Sequence, residues 1–219
     1  MSMFLHRSGI MMKGADPLTA LSFVNSVTST STAGSLTAMS GILLGDVLVW
    51  HQNSRTNAGP APTAVIPTGF TQIADVAGTI SRGIWAYKSA LGTESSTSIA
   101  GMNGADADRQ MLLQFRGDGA ISSLTPAGLA SEVTNGNPVG ISVTASAGAV
   151  PLIVFGSYGS SANVTVRDFT PAADAELPAA PQTAFIKYKI YNSAPADTAI
   201  DMPDNGNDNM IIGFYLQAA

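Results

Sequence analysis

The stretch "TAFIKYKIY", residues 183–191, carries the reading of the fold. Ile186, Tyr188 and Ile190 alternate with Phe185, Lys187 and Lys189, which is the two-residue period of a half-buried strand. Outward from it, "VGISVTAS" (139–146), "PLIVFGSY" (151–158), "NVTVRDF" (163–169) and "NMIIGFYLQ" (209–217) have the same strand-forming character. Earlier in the chain come "LSFVNSVT" (21–28), "DVLVWHQ" (46–52), "GFTQIADV" (69–76), "GIWAYKS" (83–89) and "RQMLLQF" (109–115). Clusters of Gly, Pro, Asn and Asp separate them, as in "NAGPAPTAVIPTG", "VTNGNP" and "MPDNGNDN". No amphipathic helix of more than two turns is present, and "AADAEL" (172–177) suits a single helical turn. The expected fold is all-β, an antiparallel β-sandwich of jelly-roll type, with a closed barrel as the lesser alternative.

Two stretches run in parallel. Residues 84–115 and 186–214 each pass from an aromatic strand through Ser-Ala, a Thr-x-Ile core, a Met before an Asn-Gly turn and paired acids, to Met, two aliphatics and Phe. The expected organisation is an N-terminal assembly arm over residues 1–20 and one sandwich domain over 21–219. That domain divides into weakly related halves at about 21–118 and 139–219. In the arm, Phe4, Leu5, Ile10 and Met11 follow no strand period and would form an exposed apolar patch if left free, so they are expected to be assembly contacts.

Composition narrows the function. Of 219 residues 45% are hydrophobic, enough for a sizeable core, and only 11% are charged. Ten Lys and Arg against fifteen Asp and Glu give a net charge of −5, with no basic stripe to neutralise phosphates. Nucleic acid and anionic membrane surfaces are therefore not expected partners. No apolar run reaches the length of a membrane span, and "MSMFLHRSGIMMKGADP", broken by His6-Arg7 and Lys13, reads poorly as a signal peptide. There is no Cys, which removes disulfides and thiolate metal sites.

Little reads as catalytic. The two histidines are His6 in the arm and His51 at a strand end, where a polar edge residue is the ordinary reading. No Gly-x-Ser-x-Gly elbow, Walker loop or dinucleotide fingerprint occurs, and the three Glu have no second acid at a suggestive spacing. The expectation is that the chain is not an enzyme and carries no catalytic residue and no resident cofactor. The one metal candidate is "DMPDNGNDN" (201–209), where Asp201, Asp204 and Asp208 would offer hard oxygen ligands to calcium. Pro203 and Ile212 break the register of a helix-loop-helix calcium site, and an Asn205-Gly206 turn is the plainer reading. Trp50, Trp85 and Tyr158 are candidates for a sugar-stacking platform, with burial in the core as the competing reading. Arg116-Gly117-Asp118 follows the apolar run 111–115 and reads as a turn at the end of a buried strand, with Gly117 or Gly119 at positive φ, not as an adhesive tip.

Phe23, Ser26, Gly45-Asp46, Pro67-x-Gly69-Phe70-Thr71, Tyr87-Lys88 and Phe115-Arg116-Gly117 together resemble the order of motifs in structural proteins of tailed bacteriophages and prophages. The likeness covers about the first 120 residues, with Phe70 where Trp is common and Asn25 where Gly is usual. It implies a β-sandwich virion component without catalytic residues: a fibre, head spike, decoration or tail-tip subunit. Such a subunit would be made in the bacterial cytoplasm and located in the virion. Its partners would be other virion proteins and further copies of itself, with a host surface polysaccharide as an attachment target. The reading from a different class is a carbohydrate-binding module for a bacterial surface glycan.

Overall fold

A computed structural model describes residues 20–29, 36, 39–94, 107–119, 124–135, 139–160, 166–177, 184–202 and 208–218. Residues 1–19 of the assembly arm, with Phe4, Leu5, Ile10 and Met11, lie outside them. The described residues are all-β, with three antiparallel sheets packed on one another as a sandwich. The first part of the chain supplies β1 (Leu21–Ser29), β2 (Leu44–Arg55), β3 (Thr71–Ala77), β4 (Ser81–Leu91) and β5 (Ala107–Gly117). The remainder supplies β6 (Leu124–Asn135), β7 (Val139–Val143), β8 (Leu152–Ser160), β9 (Asp168–Thr170), β10 (Ala175–Leu177), β11 (Ala184–Tyr191), β12 (Thr198–Met202) and β13 (Asp208–Ala218).

The first sheet has the order β1-β5-β2-β4-β3 and the second β10-β11-β8-β13-β6. Number the five strands of each sheet by their order along the chain, and both sheets read first, fifth, second, fourth, third. They face each other in opposite sense, with β1 against β11 and β3 against β6, as a two-fold axis between them would place them. Strands β7, β12 and β9 are left over from the second half and form the third sheet. The result departs from a jelly roll, because no sheet mixes strands of the two halves and the second half adds a third sheet. β6, which precedes residue 139, lies in the same sheet as β8, β10, β11 and β13.

Three apolar layers follow from this stacking. Val47, Val49, Trp85, Met111, Leu113 and Phe115 meet Phe155, Ile186, Tyr188, Met210, Ile212 and Phe214 between the first two sheets. Rings of Trp85, Phe155 and Phe214 form its centre, with centroids 4.9–5.3 Å apart. Val143, Phe169, Ile200 and Met202 of the third sheet pack on Val154, Tyr158, Phe185 and Ile211. The outer face of the first sheet (Leu48, Trp50, Ile84, Leu112) is covered by Leu36, Met39, Ile42, Ala64, Ile66 and Phe70 from its own connections. Strands β2, β5, β8 and β13 are therefore covered on both faces, which is why their sequences are continuous apolar runs. In "TAFIKYKIY" Ile186 and Tyr188 enter the central layer and Phe185 and Tyr191 the second, so that strand too is covered on both sides.

Three strands were not expected. β6 carries Pro126 and Gly128, and β10 and β12 are only three and five residues long. Residues 175–177, expected in a helical turn, are instead β10, antiparallel to β11. Gly69 (φ 82°) closes a turn in which the Phe70 amide donates to the Pro67 carbonyl at 3.1 Å. Gly45 (φ 82°) does the same for Asp46 and Leu43 at 3.1 Å.

Candidate functional site

The aromatic candidates are inside the sandwich. Trp50, Trp85 and Tyr158 are all buried and present no ring face to a sugar. Trp50 donates through Nε1 to Gln110 Oε1 (3.4 Å) and Trp85 through Nε1 to Ser157 Oγ (3.0 Å). The Tyr158 hydroxyl donates to the Asp168 carbonyl at 2.8 Å. Each indole or phenol is thus held by a neighbouring strand, as buried polar aromatics require. The stacking-platform expectation is corrected on that ground.

His51 is fully buried and stacked on Trp85, 4.4 Å between centroids. Its Nδ1 lies 2.9 Å from the Ile84 carbonyl, which can only accept, so the proton sits on Nδ1. Nε2 has no hydrogen-bond partner among the described residues. Burial pushes the imidazole pKa down to about 3, against the smaller opposing effect of the Ile84 carbonyl. A neutral, enclosed imidazole has no route to a substrate, and the strand-end reading of an edge residue gives way to a core one.

Arg116-Gly117-Asp118 ends β5, and its arginine is engaged. Arg116 Nε and Nη2 donate to the two oxygens of Asp46 at 2.7 and 2.6 Å, a bidentate pair. Asp46 Oδ2 also accepts from Gln114 Nε2 (2.5 Å) and from the Leu43 amide (2.8 Å). Arg116 Nη2 and Gln114 Nε2 both donate to the Gly41 carbonyl, at 2.9 and 3.1 Å. Burial alone would raise the Asp46 pKa; Arg116, the Leu43 amide and Gln114 outweigh it and hold the carboxylate below its ordinary value. Neither Gly117 nor Gly119 is among the glycines at positive φ, which corrects that expectation: Gly117 is an ordinary ladder residue opposite Leu21. At the same end Leu43, Leu44 and Leu91 stand 55%, 69% and 71% exposed, with Leu44 opposite Leu91 across β2 and β4.

Of the calcium candidates, Asp201 is exposed on β12, opposite Asp168 of β9, while Asp204 and the Asp208 side chain lie outside the described residues. Among the described residues no three His, Asp or Glu side chains gather where they could hold a metal ion.

A site that sequence reasoning missed lies where β9 leans over β10 and β11. An open cleft of about 320 Å³ is lined by Arg167, Asp168, Phe169, Glu176, Lys187 and the alanines 172, 173 and 175. Arg167 lies over the Phe185 ring and pairs with Glu176, and Lys187 donates to the Arg167 carbonyl and pairs with Glu176 Oε2 at 3.1 Å. Beside it Lys189 reaches the Ala172 carbonyl (3.0 Å) and Asp174 (3.3 Å). Asp174 accepts from the Ile190 amide at 2.6 Å. The "IKYK" period that put two lysines on one face was the available signal, but the acids that meet them, Asp174 and Glu176, come from residues read as a helical turn.

No family model matches the chain, and no curated protein matches it. Among the described residues no helix is long and apolar enough to cross a membrane.

Proposed function

We propose that the chain is a non-enzymatic structural subunit of a bacteriophage particle, a fibre, head-spike, decoration or tail-tip component that associates with copies of itself and with other virion proteins. The observation that carries this reading is the Asp46–Arg116 pair. Gly45-Asp46 and Arg116-Gly117 are two of the motifs behind the resemblance, and they meet as one fork-to-fork contact that ties β2 to the end of β5. In this reading the pair serves the fold, joining two strands of one sheet. The histidine in the described residues is enclosed, and Glu94 is spent on Lys88 and the Leu91 amide. Neither of these two side chains is available as a base beside a nucleophile. Leu43, Leu44 and Leu91, next to that pair, are the surface on which a second copy would lie in this reading.

Solution mass of the purified chain at micromolar concentration tests it. The expected mass is a whole multiple of the chain, falling toward the monomer in the Leu44→Lys, Leu91→Lys double variant while the melting temperature holds. A monomer at every concentration, or turnover of a bacterial polysaccharide that one Asp or Glu substitution abolishes, would overturn the proposal.

A further inference from the structure

The cleft between β9, β10 and β11 has the chemistry of a ligand site. Its charged side chains are Arg167 and Lys187 against Asp168 and Glu176, so the formal charges cancel. A balanced cleft offers no net attraction to an ion or to a polyphosphate chain. It offers fixed hydrogen-bond donors beside fixed acceptors, which is what vicinal hydroxyl groups need, since each hydroxyl both donates and accepts. Lys187 spends two of its three N–H donors on Glu176 and the Arg167 carbonyl. A carboxylate has about four acceptor positions, so Glu176 keeps capacity beyond its two cations. Asp168 stands exposed at the rim, on the residue whose carbonyl is fixed by Tyr158.

These groups are held before any ligand arrives. Arg167 is clamped between the Phe185 ring and Glu176, and Lys187 is tied to both neighbours, so little side-chain freedom remains to be lost on binding. Apart from the buried Phe169, the rest of the lining is Ala172, Ala173 and Ala175, short side chains that leave room for a ring. The volume, about 320 Å³, is at the small end of ligand sites and suits a single sugar unit, not a long chain.

We propose that this cleft binds a neutral saccharide unit, with Lys187 as donor and Glu176 and Asp168 as acceptors to adjacent hydroxyls. The role foreseen for Trp50, Trp85 and Tyr158 passes to a polar site with small walls, and the proposal stands whether or not the chain assembles into a particle.

Amide-resolved NMR titration of the full chain tests it. The titrants are glucose, galactose, rhamnose and N-acetylglucosamine, with glucuronate and inorganic phosphate as anionic controls. At least one neutral sugar is expected to shift the amides of Ala172, Ala173, Glu176 and Lys187 saturably, with a Kd of about 1 mM. Asp168→Asn weakens that binding about tenfold, and Ala172→Trp, which fills the cleft from an exposed position, abolishes it with the melting temperature retained. If Ala172→Trp does not fold, Asp168→Asn alone decides. Shifts from glucuronate or phosphate alone would make this an anion site and overturn the proposal. Saturable shifts confined to other residues, or none from any sugar, would also overturn it.

Discussion

The pairing of Gly156 with Gly213 makes the contact between the second and third sheets measurable. These two glycines are opposite each other on β8 and β13, and Ile200 of β12 lies over both. A Cβ at Gly156 would stand 2.8 Å from Ile200 Cδ1 and 3.0 Å from Phe169 Cε2. Carbon atoms pack best at about 3.5–4.0 Å, so the added methyl intrudes by roughly 0.5–1 Å on two buried side chains. Ile200 is fully buried, and its terminal methyl has no solvent to turn into. Gly156→Ala should therefore cost about 2 kcal/mol, inside the usual range for overpacking. Ile200→Val removes the intruded methyl and alone costs about 1 kcal/mol as a small cavity. The double variant should recover about 1 kcal/mol relative to the sum of the singles. Gly213→Ala is a built-in comparison: its Cβ also meets Val143 Cγ2 at 2.6 Å and Ile141 Cδ1 at 3.0 Å, so Ile200→Val should relieve it less. Urea unfolding midpoints with a constant slope measure the three single variants and the two doubles. If Gly156→Ala costs less than about 0.5 kcal/mol, or the pair is strictly additive, the third sheet does not press on these glycines and the three-layer packing is refuted.

His51 has a folded pKa below its unfolded one, so the unfolded chain takes the proton first and stability falls as pH drops from about 6.5 toward 3. Between pH 7 and pH 5, where carboxylates stay ionised in both states, the loss should be on the order of 2 kcal/mol, and His51→Phe should flatten that part of a pH series of urea melts. Trp85→Ala should destabilise by about 3–5 kcal/mol in the same unfolding assay, because it empties the centre of the main core and strands Ser157. Arg116→Lys should lower the melting temperature, since an ammonium cannot span both oxygens of Asp46, and a melting curve unchanged from the parent would mean that the fork is idle. Gly117→Ala and Asp118→Glu should both be near neutral by calorimetry, the first because Gly117 has no positive φ and the second because Asp118 is exposed.

Ten of the strands were legible because their apolar or aromatic residues recur at the strand period between turn residues. β9 was placed by the end of its expected run, at Asp168 and Phe169. β6 was not legible: Pro126, Gly128 and three alanines or serines within it weaken every local signal, and its place is set by pairing with β13. β10, at three residues, is too short to carry a period, and β12 alternates over only five; both are placed by their ladders, with β11 and with β7 and β9. The direction of a side chain across a third layer was equally hidden. Trp50 and Tyr158 look toward solvent only if a sandwich has two layers; covers on both outer faces bury them. Arg116 read as the head of a tripeptide, while its partner Asp46 stands seventy residues earlier.

The common strand order of the two sheets explains why the cleft is where it is. In each sheet the connections after the first and second strands cross to the outer face and supply its cover. In the first half they do so as loop, through Leu36, Met39, Ile42, Ala64 and Ile66; in the second they carry β7 and β9, which β12 joins into a sheet. The third strand of the first sheet, β3, runs seven residues along β4, but its counterpart β10 runs only three along β11. Where β10 stops, Lys189 keeps a free flank, and residues 167–174 fold across it with the Asp174 amide donating to the Tyr188 carbonyl at 2.9 Å. The edge is thus closed by a polar connection instead of a longer strand, and the 320 Å³ cleft lies between that connection and the Glu176–Lys187 pair of the β10–β11 ladder. The saccharide cleft proposed above therefore sits at the edge of the second sheet, where β10 pairs with β11.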